Sequence, residues 1–369
     1  MNKKVHIICF DVPFPATYGG VIDVFYKIQA LSKKGVEIYL HVFQYGRPEQ
    51  VVLKEYCTEV HYYKRKTSLF QALGPIPYVV SSRSDEQLVK NLKRIDAPIL
   101  IEGLHSSLIL RKKLFKERKI LVRTHNIEHQ YYKHLAVHEN NLFKKIYYRA
   151  ASVKLKYYEN VLKHCDQILP ISKHEAFHFK KKYGEKVTFL PAFHPNNQLH
   201  ELSKKGYFAL YHGNLNVTDN MKAALFLIDC FKTMPYPLVI AGQSGDKNLL
   251  SKIDQYKNMS FISISDDNQL QELFHRAHVN VLYAFNNSGV KLKLINSLFQ
   301  SRYVIANKQV IQGSGLDSLC IIANDKKEIM HQVLKTMDKD FSKEEINRRK
   351  EILREYSNED NAKILLNLL

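Results

Sequence analysis

The chain has 369 residues, of which 45% are hydrophobic and 25% are charged. This composition is typical of a folded globular protein and excludes an intrinsically disordered one. At about 150 residues per domain, the length predicts two or three domains. Lysine and arginine number 55 against 36 aspartates and glutamates, which gives a formal net charge of +19 and favours anionic partners.

The positive charge is concentrated in the first half of the sequence. Residues 1–200 contain 33 basic and 17 acidic residues, a balance of +16, whereas residues 201–369 contain 22 and 19, a balance of +3. A basic surface of this kind fits an anionic membrane, a nucleic acid or solubility alone. The composition does not distinguish these three interpretations.

The cysteines and the apolar runs indicate the compartment. The five cysteines are widely spaced and form no Cys-x-x-Cys pair, which predicts reduced thiols rather than a disulfide framework or a zinc site. No apolar run approaches the ~20 residues that a membrane-spanning helix needs. We therefore expect a cytoplasmic protein that binds, at most, to the inner face of the cell membrane.

Strands and helices are predicted to alternate along the first half. The apolar run Val5–Phe10 is a predicted strand, and apolar positions recur at helical spacing in Val21–Lys34. Ser172 is a predicted helix cap. Two basic segments, Arg111–Lys119 and Asn141–His164, are candidates for binding an anionic membrane surface. The other strands predicted in this half are Val36–Phe43, Pro98–Glu102, Ile120–Thr124 and Gln167–Ile171.

A second series of strands and helices follows a break at residues 191–206, where two prolines and several polar residues predict a linker. Strands come every ~20 residues after it, which is the spacing of a doubly wound sheet. The tail from Lys326 to Leu369 is predicted to be helical throughout. The predicted strands are Tyr207–His212, Leu238–Ala241, Ser260–Ile264, Val279–Tyr283 and Tyr303–Ala306.

This alternation predicts an α/β fold with two doubly wound, Rossmann-like domains that face each other across a cleft. We assign residues 1–190 to an N-terminal domain, 207–340 to a C-terminal domain and 341–369 to C-terminal helices. Ligands of such sheets bind beyond the carboxyl ends of the strands, so the loops at those ends contain the candidate site residues.

Two loops of the first half contain candidates. Gly19 and Gly20 open a helix, where glycine lets backbone N–H groups approach an anion or a sugar closely. A tight turn without a ligand explains the same pair. His125 directly follows a predicted strand, where it can donate a hydrogen bond to a substrate hydroxyl or transfer a proton. Because the chain has 17 histidines, a histidine without a catalytic role is the alternative.

The second half has loops of the same kind. Gly213 and Asn214 follow its first strand, and a loop with Gly289 leads into a helix whose N–H groups suit a diphosphate. Lysines at a helix start oppose the helix dipole, so Lys291 and Lys293 predict an anion that compensates for them. Exposure of both lysines to solvent is the alternative.

In their order and spacing, these segments resemble the GT-B glycosyltransferases, specifically the retaining family-4 enzymes. The resemblance covers nearly the whole chain. The segments that carry it are Tyr-Gly-Gly20, Leu-Ser-Lys-Lys-Gly35, Arg-Thr-His-Asn-Ile-Glu128, Tyr-His-Gly213, Val-Ile-Ala-Gly242 and Ser-Gly289-Val-Lys-Leu-Lys293.

The resemblance implies an acceptor site in the N-terminal domain, a nucleotide-sugar site in the C-terminal domain and a last helix that crosses back to the N-terminal domain. His125 would contact the transferred sugar. Lys291, with Lys293, would neutralise the diphosphate leaving group without a bound metal. The residues implied in donor binding are Gly19, Gly20, Gly213, Asn214, Gly242, Ser288, Gly289, Lys291, Lys293 and Asn296.

The chain departs from the family pattern in its second half. Many relatives have an arginine where this chain has Asn214. They also have glutamates at the positions of Asn286 and Asn296, the second of which binds the nucleotide ribose. An amide still forms hydrogen bonds but brings no charge, so a weak or inactive homologue is one alternative.

The leading hypothesis is a metal-independent, retaining hexosyltransferase without a cofactor. It would transfer the hexose of a UDP- or GDP-sugar to a hydroxyl of a glycan or lipid-linked acceptor in cell-surface polysaccharide synthesis. A nucleotide-sugar epimerase on the same fold is an alternative, although candidate acids such as Glu102 and Glu128 are few. A nucleic-acid-binding protein is a further one, but we expect no nucleic acid because no binding motif for it is present.

Overall fold

The computed structural model describes residues 3–68, 71, 73–112, 114–202, 204–285 and 292–369. The contacts between residues divide the chain into two compact units. The first unit comprises the described residues up to His194 together with Asn358–Leu369, and the second comprises those from Pro195 to Ser357.

The first unit is built on a parallel sheet. Within the described residues its six strands are β1 (Lys4–Cys9), β2 (Glu37–Gln44), β3 (Glu59–Lys64), β4 (Ile99–Glu102), β5 (Ile120–Thr124) and β6 (Gln167–Pro170). Their order across the sheet is β3-β2-β1-β4-β5-β6. The α-helices are α1 (Gly19–Ser32), α2 (Tyr78–Ser81), α3 (Glu86–Arg94), α4 (Leu108–Lys112), α5 (Glu128–His138), α6 (Leu142–Tyr158) and α7 (Lys173–Tyr183).

Both faces of this sheet are buried, which explains why its central strands are continuous apolar runs. Neighbouring residues of a strand point to opposite faces. Ile8 and Ile101 accordingly belong to one hydrophobic cluster, which includes residues of α3, α4, α6 and α7, while Ile7 and Leu100 belong to another, which includes residues of α1. The sheet is therefore the middle of three layers.

The second unit repeats this architecture. Its strands within the described residues are β7 (Phe208–His212), β8 (Leu238–Gly242), β9 (Met259–Ser263), β10 (Ala277–Leu282), β11 (Tyr303–Ala306) and β12 (Ile321–Ile322), all parallel. The order β12-β11-β10-β7-β8-β9 is that of the first unit when counted from β7. The α-helices are α8 (Thr218–Phe231), α9 (Lys247–Ile253), α10 (Asp267–Arg276), α11 (Leu292–Gln300), α12 (Lys308–Ile311), α13 (Lys326–Met337) and α14 (Lys343–Leu353).

The helix α15 (Asn358–Leu368) packs on the first unit, although it follows the second in sequence. Ala362 and Leu365 are fully buried in the hydrophobic cluster that also contains Val24 of α1. The Asn358 side chain accepts a hydrogen bond from the N–H of His194 at 3.1 Å and donates one to its carbonyl oxygen at 2.6 Å. Apolar packing and a pair of hydrogen bonds thus hold α15 in place.

The structure confirms the predicted α/β class and the central strands. Ile120–Thr124 and Tyr303–Ala306 have the predicted bounds. The predicted cap also forms, because the Ser172 hydroxyl accepts a hydrogen bond from the N–H of Glu175. The edge strands β3 and β12 were not predicted. Most residues of β3 are only half-buried, so polar and aromatic residues mix there without an apolar run.

The prediction of a tail that is helical throughout is wrong. Residues 338–342 separate α13 from α14, and a 3-10 turn, Arg354–Tyr356, lies between α14 and α15. The Ser342 hydroxyl accepts a hydrogen bond from the N–H of Glu345, so a new helix begins there. In the part of the chain that the structure describes, no helix has the length and apolarity needed to cross a bilayer.

Candidate active site

The strand order reverses between β1 and β4 in the first sheet and between β7 and β10 in the second. At such a switch point the connections leave to opposite faces, and a crevice opens at the carboxyl ends of the strands, where doubly wound proteins bind ligands. Phe10 and Gly103 follow β1 and β4, and Gly213 and Tyr283 follow β7 and β10. Among the described candidate residues, Gly20 and His125 both lie against the ring of Phe10, and Gly213 is itself one of these four positions.

Gly19 and Gly20 are the first two residues of α1. A methyl group on Gly20 would lie 2.7 Å from the ring of Phe10, so packing of that ring requires glycine here. The preceding loop is held by Tyr18, whose hydroxyl donates a hydrogen bond to Asp11 at 2.8 Å. A contact within the fold therefore accounts for Gly20, and donor binding by the two glycines stays a prediction.

Four charged side chains form a fully buried cluster in the first unit. Asp23 and Lys27 lie on α1, Glu102 ends β4, Arg123 is on β5, and each is 0% exposed. The Lys27 ammonium lies 2.8 Å from a carboxylate oxygen of Asp23 and 2.8 Å from one of Glu102. Arg123 donates to both oxygens of Asp23, at 2.7 and 3.1 Å. Two cations face two carboxylates, so the formal charges of this cluster cancel.

Both carboxyl groups of the cluster have lowered pKa values. Burial acts to raise the pKa of Asp23, but the guanidinium of Arg123 and the ammonium of Lys27 outweigh it, and the pKa lies below its ordinary value. Burial likewise acts to raise the pKa of Glu102, while the charge of Lys27 and the hydrogen bond from His125 more than offset it. Both groups are therefore ionised at neutral pH and act only as hydrogen-bond acceptors.

His125 extends the cluster from the position directly after β5. Its Nε2 atom lies 3.1 Å from Glu102 Oε2 and 3.9 Å from Asp23 Oδ2. The ring of Phe10 packs edge-on against the imidazole, with the ring centroids 5.5 Å apart. The side chain is buried, and Nδ1 has no hydrogen-bond partner among the described residues. Glu102 and Phe10 thus fix the orientation of the imidazole ring.

Among the described residues, three side chains of this cluster are a candidate metal site. Asp23, Glu102 and His125 each place one ligand atom within 4.8 Å of the others, which is close enough for a metal ion. Lys27 and Arg123, however, already neutralise the two carboxylates at ion-pair distance. A divalent cation would add charge to a buried cluster that is already balanced, so these residues do not fit a metal.

A second acidic pair is buried in the same unit. Glu128 begins α5, and its pKa is raised to about 8 by burial and by the neighbouring Glu175. Burial also raises the pKa of Glu175 to about 7. His105 Nε2 lies 3.6 Å from Glu128 Oε2. Because its pKa lies above neutral, Glu128 is protonated at pH 7 and has a proton to donate.

The second unit brings Lys293 beside the end of β7. Its ammonium donates a hydrogen bond to Asn220 Oδ1 at 3.1 Å and lies 5.3 Å from the centre of the Tyr211 ring. His212, the last residue of β7, has both ring nitrogens buried without a hydrogen-bond partner among the described residues. Burial, and then the charge of Lys293, lower the pKa of His212 to about 3, so its ring is neutral.

Three further predicted residues lie at this sheet end. A methyl group on Gly242, the last residue of β8, would lie 2.9 Å from the carbonyl oxygen of Gly213, so glycine permits close packing here. The carbonyl oxygen of Asn214 accepts a hydrogen bond from Asn220 at 2.9 Å. Asn220 therefore contacts both Asn214 and Lys293, and Gly242 packs against Gly213.

Asn296 has a partner within the protein. Its Oδ1 accepts a hydrogen bond from Asn196 Nδ2 at 2.8 Å, which ties α11 to the segment before β7. Donor binding by Asn296 stays a prediction, as it does for the other implied residues. Four positions singled out in the sequence lie outside the described residues: Asn286, Ser288, Gly289 and Lys291.

The buried ion cluster was not predicted from the sequence. A signal was present, because Asp23 and Lys27 alternate with Val24 and Ile28 on the buried side of α1. Arg123 likewise stands in a strand that is buried over its whole length. Charged residues at core-facing positions are almost always paired. The pattern therefore predicts partners, but it does not identify them.

The chain is similar to known proteins more in structure than in sequence. A comparison with protein-family models gives no match. Among curated proteins, the chain is 26% identical over 347 residues to an uncharacterized 44.6 kDa protein in the cps region of Klebsiella pneumoniae, and the match covers 88% of both chains. At this identity the sequence comparison alone does not assign a family.

Solved structures are similar over nearly the full length. S. aureus TarM in complex with Fondaparinux, alpha-GlcNAc-glycerol and UDP has a TM-score of 0.67 at 12% identity, with 100% of this chain and 99% of that one covered. Anabaena HepE in complex with UDP has a TM-score of 0.66 at 12% identity, with 99% of this chain and 98% of that one covered. The lipopolysaccharide outer core galactosyltransferase WaaB has a TM-score of 0.61 at 13% identity, with 98% of this chain and 99% of that one covered.

These neighbours are GT-B glycosyltransferases. At such low identity the similarity shows the fold. The chain therefore has the GT-B fold, with two Rossmann-like α/β units, and the fold predicted from the sequence is confirmed.

Asp23→Asn should lower the free energy of unfolding by roughly 3–5 kcal/mol, because Lys27 and Arg123 would be left beside a single carboxylate in the core. Denaturant unfolding followed by circular dichroism measures the loss. Asp96→Asn is the matched control, since Asp96 pairs with Arg118 at 3.0 Å but is 93% exposed. Such surface pairs contribute about 1 kcal/mol or less. Equal losses in the two variants would contradict the role given to the buried cluster.

The buried carboxyl of Glu128 should make the protein less stable as the pH rises. Its pKa is 4.5 in an ordinary setting and about 8 in the folded chain. Because the folded chain holds this proton more tightly than the unfolded chain, the free energy of unfolding should fall between these two pH values. Glu128→Gln should reduce the fall, and Glu185→Gln, at an exposed position, should not. Unfolding curves at pH 5 and pH 8.5 measure this fall in each variant. The prediction is wrong if Glu128→Gln loses as much stability between these pH values as the wild type does.

Proposed function

We propose that the protein is a glycosyltransferase that moves a hexose from a UDP-linked sugar to a hydroxyl of a glycan or lipid-linked acceptor. The observation that carries this proposal is the cation Lys293 at the switch point of a Rossmann-like unit, in a chain whose full-length structural neighbours include HepE in complex with UDP. A nucleotide diphosphate is the ligand that suits such a position.

The second unit is the proposed nucleotide site. Lys293 would neutralise the diphosphate, together with Lys291 and the backbone at Gly289 as the sequence predicts. At an effective dielectric constant near 20, a lysine about 4 Å from a phosphate charge is attracted by roughly 4 kcal/mol before desolvation. The neutral ring of His212 adds hydrogen-bonding nitrogens beside this charge. In this proposal, cationic side chains and a helix N-terminus stabilise the leaving group without a metal.

The first unit is the proposed site of the sugar and the acceptor, with His125 in contact with the transferred hexose. The acceptor hydroxyl attacks the anomeric carbon on the face from which UDP departs. The bond from this carbon to the UDP oxygen breaks as the new glycosidic bond forms, and the hydroxyl proton passes to the departing phosphate oxygen. The configuration at the anomeric carbon is then retained, and no enzymic nucleophile is needed.

A role in cell-surface polysaccharide synthesis has two supports. The similar galactosyltransferase WaaB is described as acting in the lipopolysaccharide outer core. The curated relative is described as lying in the cps region. Both descriptions belong to those proteins, and for this chain the acceptor class is part of the proposal.

An exposed apolar stripe on α6 supports a membrane-bound acceptor. At 100° per residue, its large apolar side chains fall within about 140° of the helix circumference, and most of them lie opposite the buried Ala151 and Leu155. They are 39–83% exposed, and a cluster of large exposed apolar side chains on one helix marks an interaction surface. The residues of the stripe are Leu142, Phe143, Ile146, Tyr147, Val153 and Tyr157.

Basic residues border this stripe. Lys145, Arg149 and Lys156 follow one flank of α6 at helical spacing. A helix with an exposed apolar face and a basic border fits the plane of an anionic membrane, where the apolar side chains enter the lipid and the cations meet the head groups. We propose that α6 holds the protein at the inner membrane surface.

The nucleotide site can be tested by thermal shift with UDP, GDP and ADP. UDP should stabilise the protein, by about 2.7 kcal/mol at a hundredfold excess over its Kd. Lys293→Ala and Lys291→Ala should each raise the Kd of UDP about tenfold or more, because each removes a charge beside the diphosphate. Lys252→Ala, at an exposed position on α9, should leave the Kd unchanged. The proposed donor site is wrong if UDP does not bind or if both site variants bind UDP as the wild type does.

Membrane binding can be tested by sedimentation with lipid vesicles. The protein should bind phosphatidylglycerol-containing vesicles, less so at high salt, and bind phosphatidylcholine vesicles weakly. The double variant Phe143→Ser, Ile146→Ser should weaken binding about 100-fold, because each side chain contributes roughly 1.5 kcal/mol or more on burial in lipid. Phe177→Ser is the control, since Phe177 is 74% exposed but lies on α7. Equal binding by the two variants would exclude α6 as the membrane contact.

A further inference from the structure

The contacts of Glu102 determine which nitrogen of His125 carries a proton. Lys27 Nζ lies 2.8 Å from Glu102 Oε1, and His125 Nε2 lies 3.1 Å from Glu102 Oε2. An ionised carboxylate only accepts hydrogen bonds, so the imidazole must be the donor in this contact. The proton of the ring is therefore on Nε2.

The charges around the ring require no further cation. Asp23 and Glu102 are matched by Lys27 and Arg123, which lie at ion-pair distance from them. A second proton on His125 would leave a net positive charge in a fully buried cluster, which is costly. The ring is then neutral, and Nδ1 has a free lone pair. This atom is buried and has no hydrogen-bond partner among the described residues.

We propose that Glu102 is a positioning residue that keeps the proton of His125 on Nε2, so that Nδ1 accepts a hydrogen bond from a hydroxyl of the bound sugar. Buried polar atoms are almost always paired, and an acceptor left open beside a switch point is explained by a ligand that donates. The identity of the ligand as a sugar rests on the proposed function, whereas the state of the ring does not.

This orientation has a consequence for specificity. A nitrogen that only accepts distinguishes a hydroxyl from a hydrogen or fluorine at the same carbon, because neither replacement can donate. A site that hydrogen-bonds a substrate hydroxyl rejects the analogue without it, since its own polar atom is left unpaired. His125 would therefore select among hexoses by one hydroxyl, which its Nδ1 atom recognises in the orientation that Glu102 fixes.

The state of the ring can be measured by NMR on the protein labelled with ¹⁵N-histidine. The signals of His125 are assigned as those that are missing from the spectrum of His125→Gln. At pH 7.5 we expect the neutral ring with hydrogen on Nε2 and none on Nδ1. Hydrogen on Nδ1, alone or on both nitrogens, would overturn the proposal. This measurement uses the wild-type protein, so it does not depend on whether a variant of the cluster folds.

Glu102→Gln tests the positioning. An amide can donate or accept, so the ring should become a mixture of both neutral forms. The release of UDP from UDP-glucose should slow by about tenfold or more. The Kd of UDP should stay unchanged. Glu159→Gln is the matched control, because Glu159 is a buried carboxylate that pairs with Lys182 at 2.8 Å and His129 at 3.2 Å. It should leave the His125 signals and turnover as in the wild type. An unmixed ring in Glu102→Gln, or equal effects of both variants, would refute the role of Glu102.

The sugar contact is tested by adding ligands to the labelled wild-type protein. UDP-glucose should shift the Nδ1 signal of His125, and UDP alone should not. A shift with neither ligand, when UDP still stabilises the protein, overturns the sugar contact but leaves the nucleotide site. If no nucleotide binds at all, the proposed function fails, and the ring measurement still decides whether Glu102 positions His125.

Discussion

The carboxylate of Asp23 is the contact on which the first unit depends. It accepts hydrogen bonds from Arg123 on β5, from Lys27 one turn further along α1 and from the backbone N–H of Phe193. One buried group thus joins a helix, a strand and the segment that leaves the sheet. Through Lys27 the same network fixes the carboxylate that contacts His125. A histidine at a strand end is oriented by ion pairs in the core rather than by its own loop.

More of the fold than of the candidate site could be predicted from the sequence. Strands buried on both faces are apolar throughout, so segments such as Ile120–Thr124 stand out, whereas the half-buried edge strand β3 does not. The position of His125 follows from the end of its strand. Its partner Glu102 does not, because the two are 23 residues apart and meet only through parallel pairing of β4 and β5. Likewise, the position of Asp23 and Lys27 among the apolar residues of α1 indicates that they are paired, but their partners on β4 and β5 follow only from the fold.

The two units use the same strand order with different chemistry at the switch point. In the first, two carboxylates and two cations are buried and balanced, and a histidine is attached to them. In the second, the Lys293 ammonium donates a hydrogen bond to the amide of Asn220, which itself donates one to the carbonyl oxygen of Asn214, and His212 is neutral. Asn214 and Asn296 stand where the resembling family has charged residues. Lys293 contacts the amide of Asn220 and the ring of Tyr211, whereas the first unit pairs its buried cations with carboxylates.

The position of α15 has a consequence for how the chain matures on the ribosome. His194 and Asn358 are 164 residues apart in sequence, yet their hydrogen bonds and the burial of Leu365 close the hydrophobic cluster over α1. Domains usually fold in order of synthesis. Here the first unit leaves the ribosome with part of its apolar surface uncovered. That surface stays uncovered until the entire second unit and α15 have been translated. A nascent chain of this kind has a long interval in which a holding chaperone would be useful.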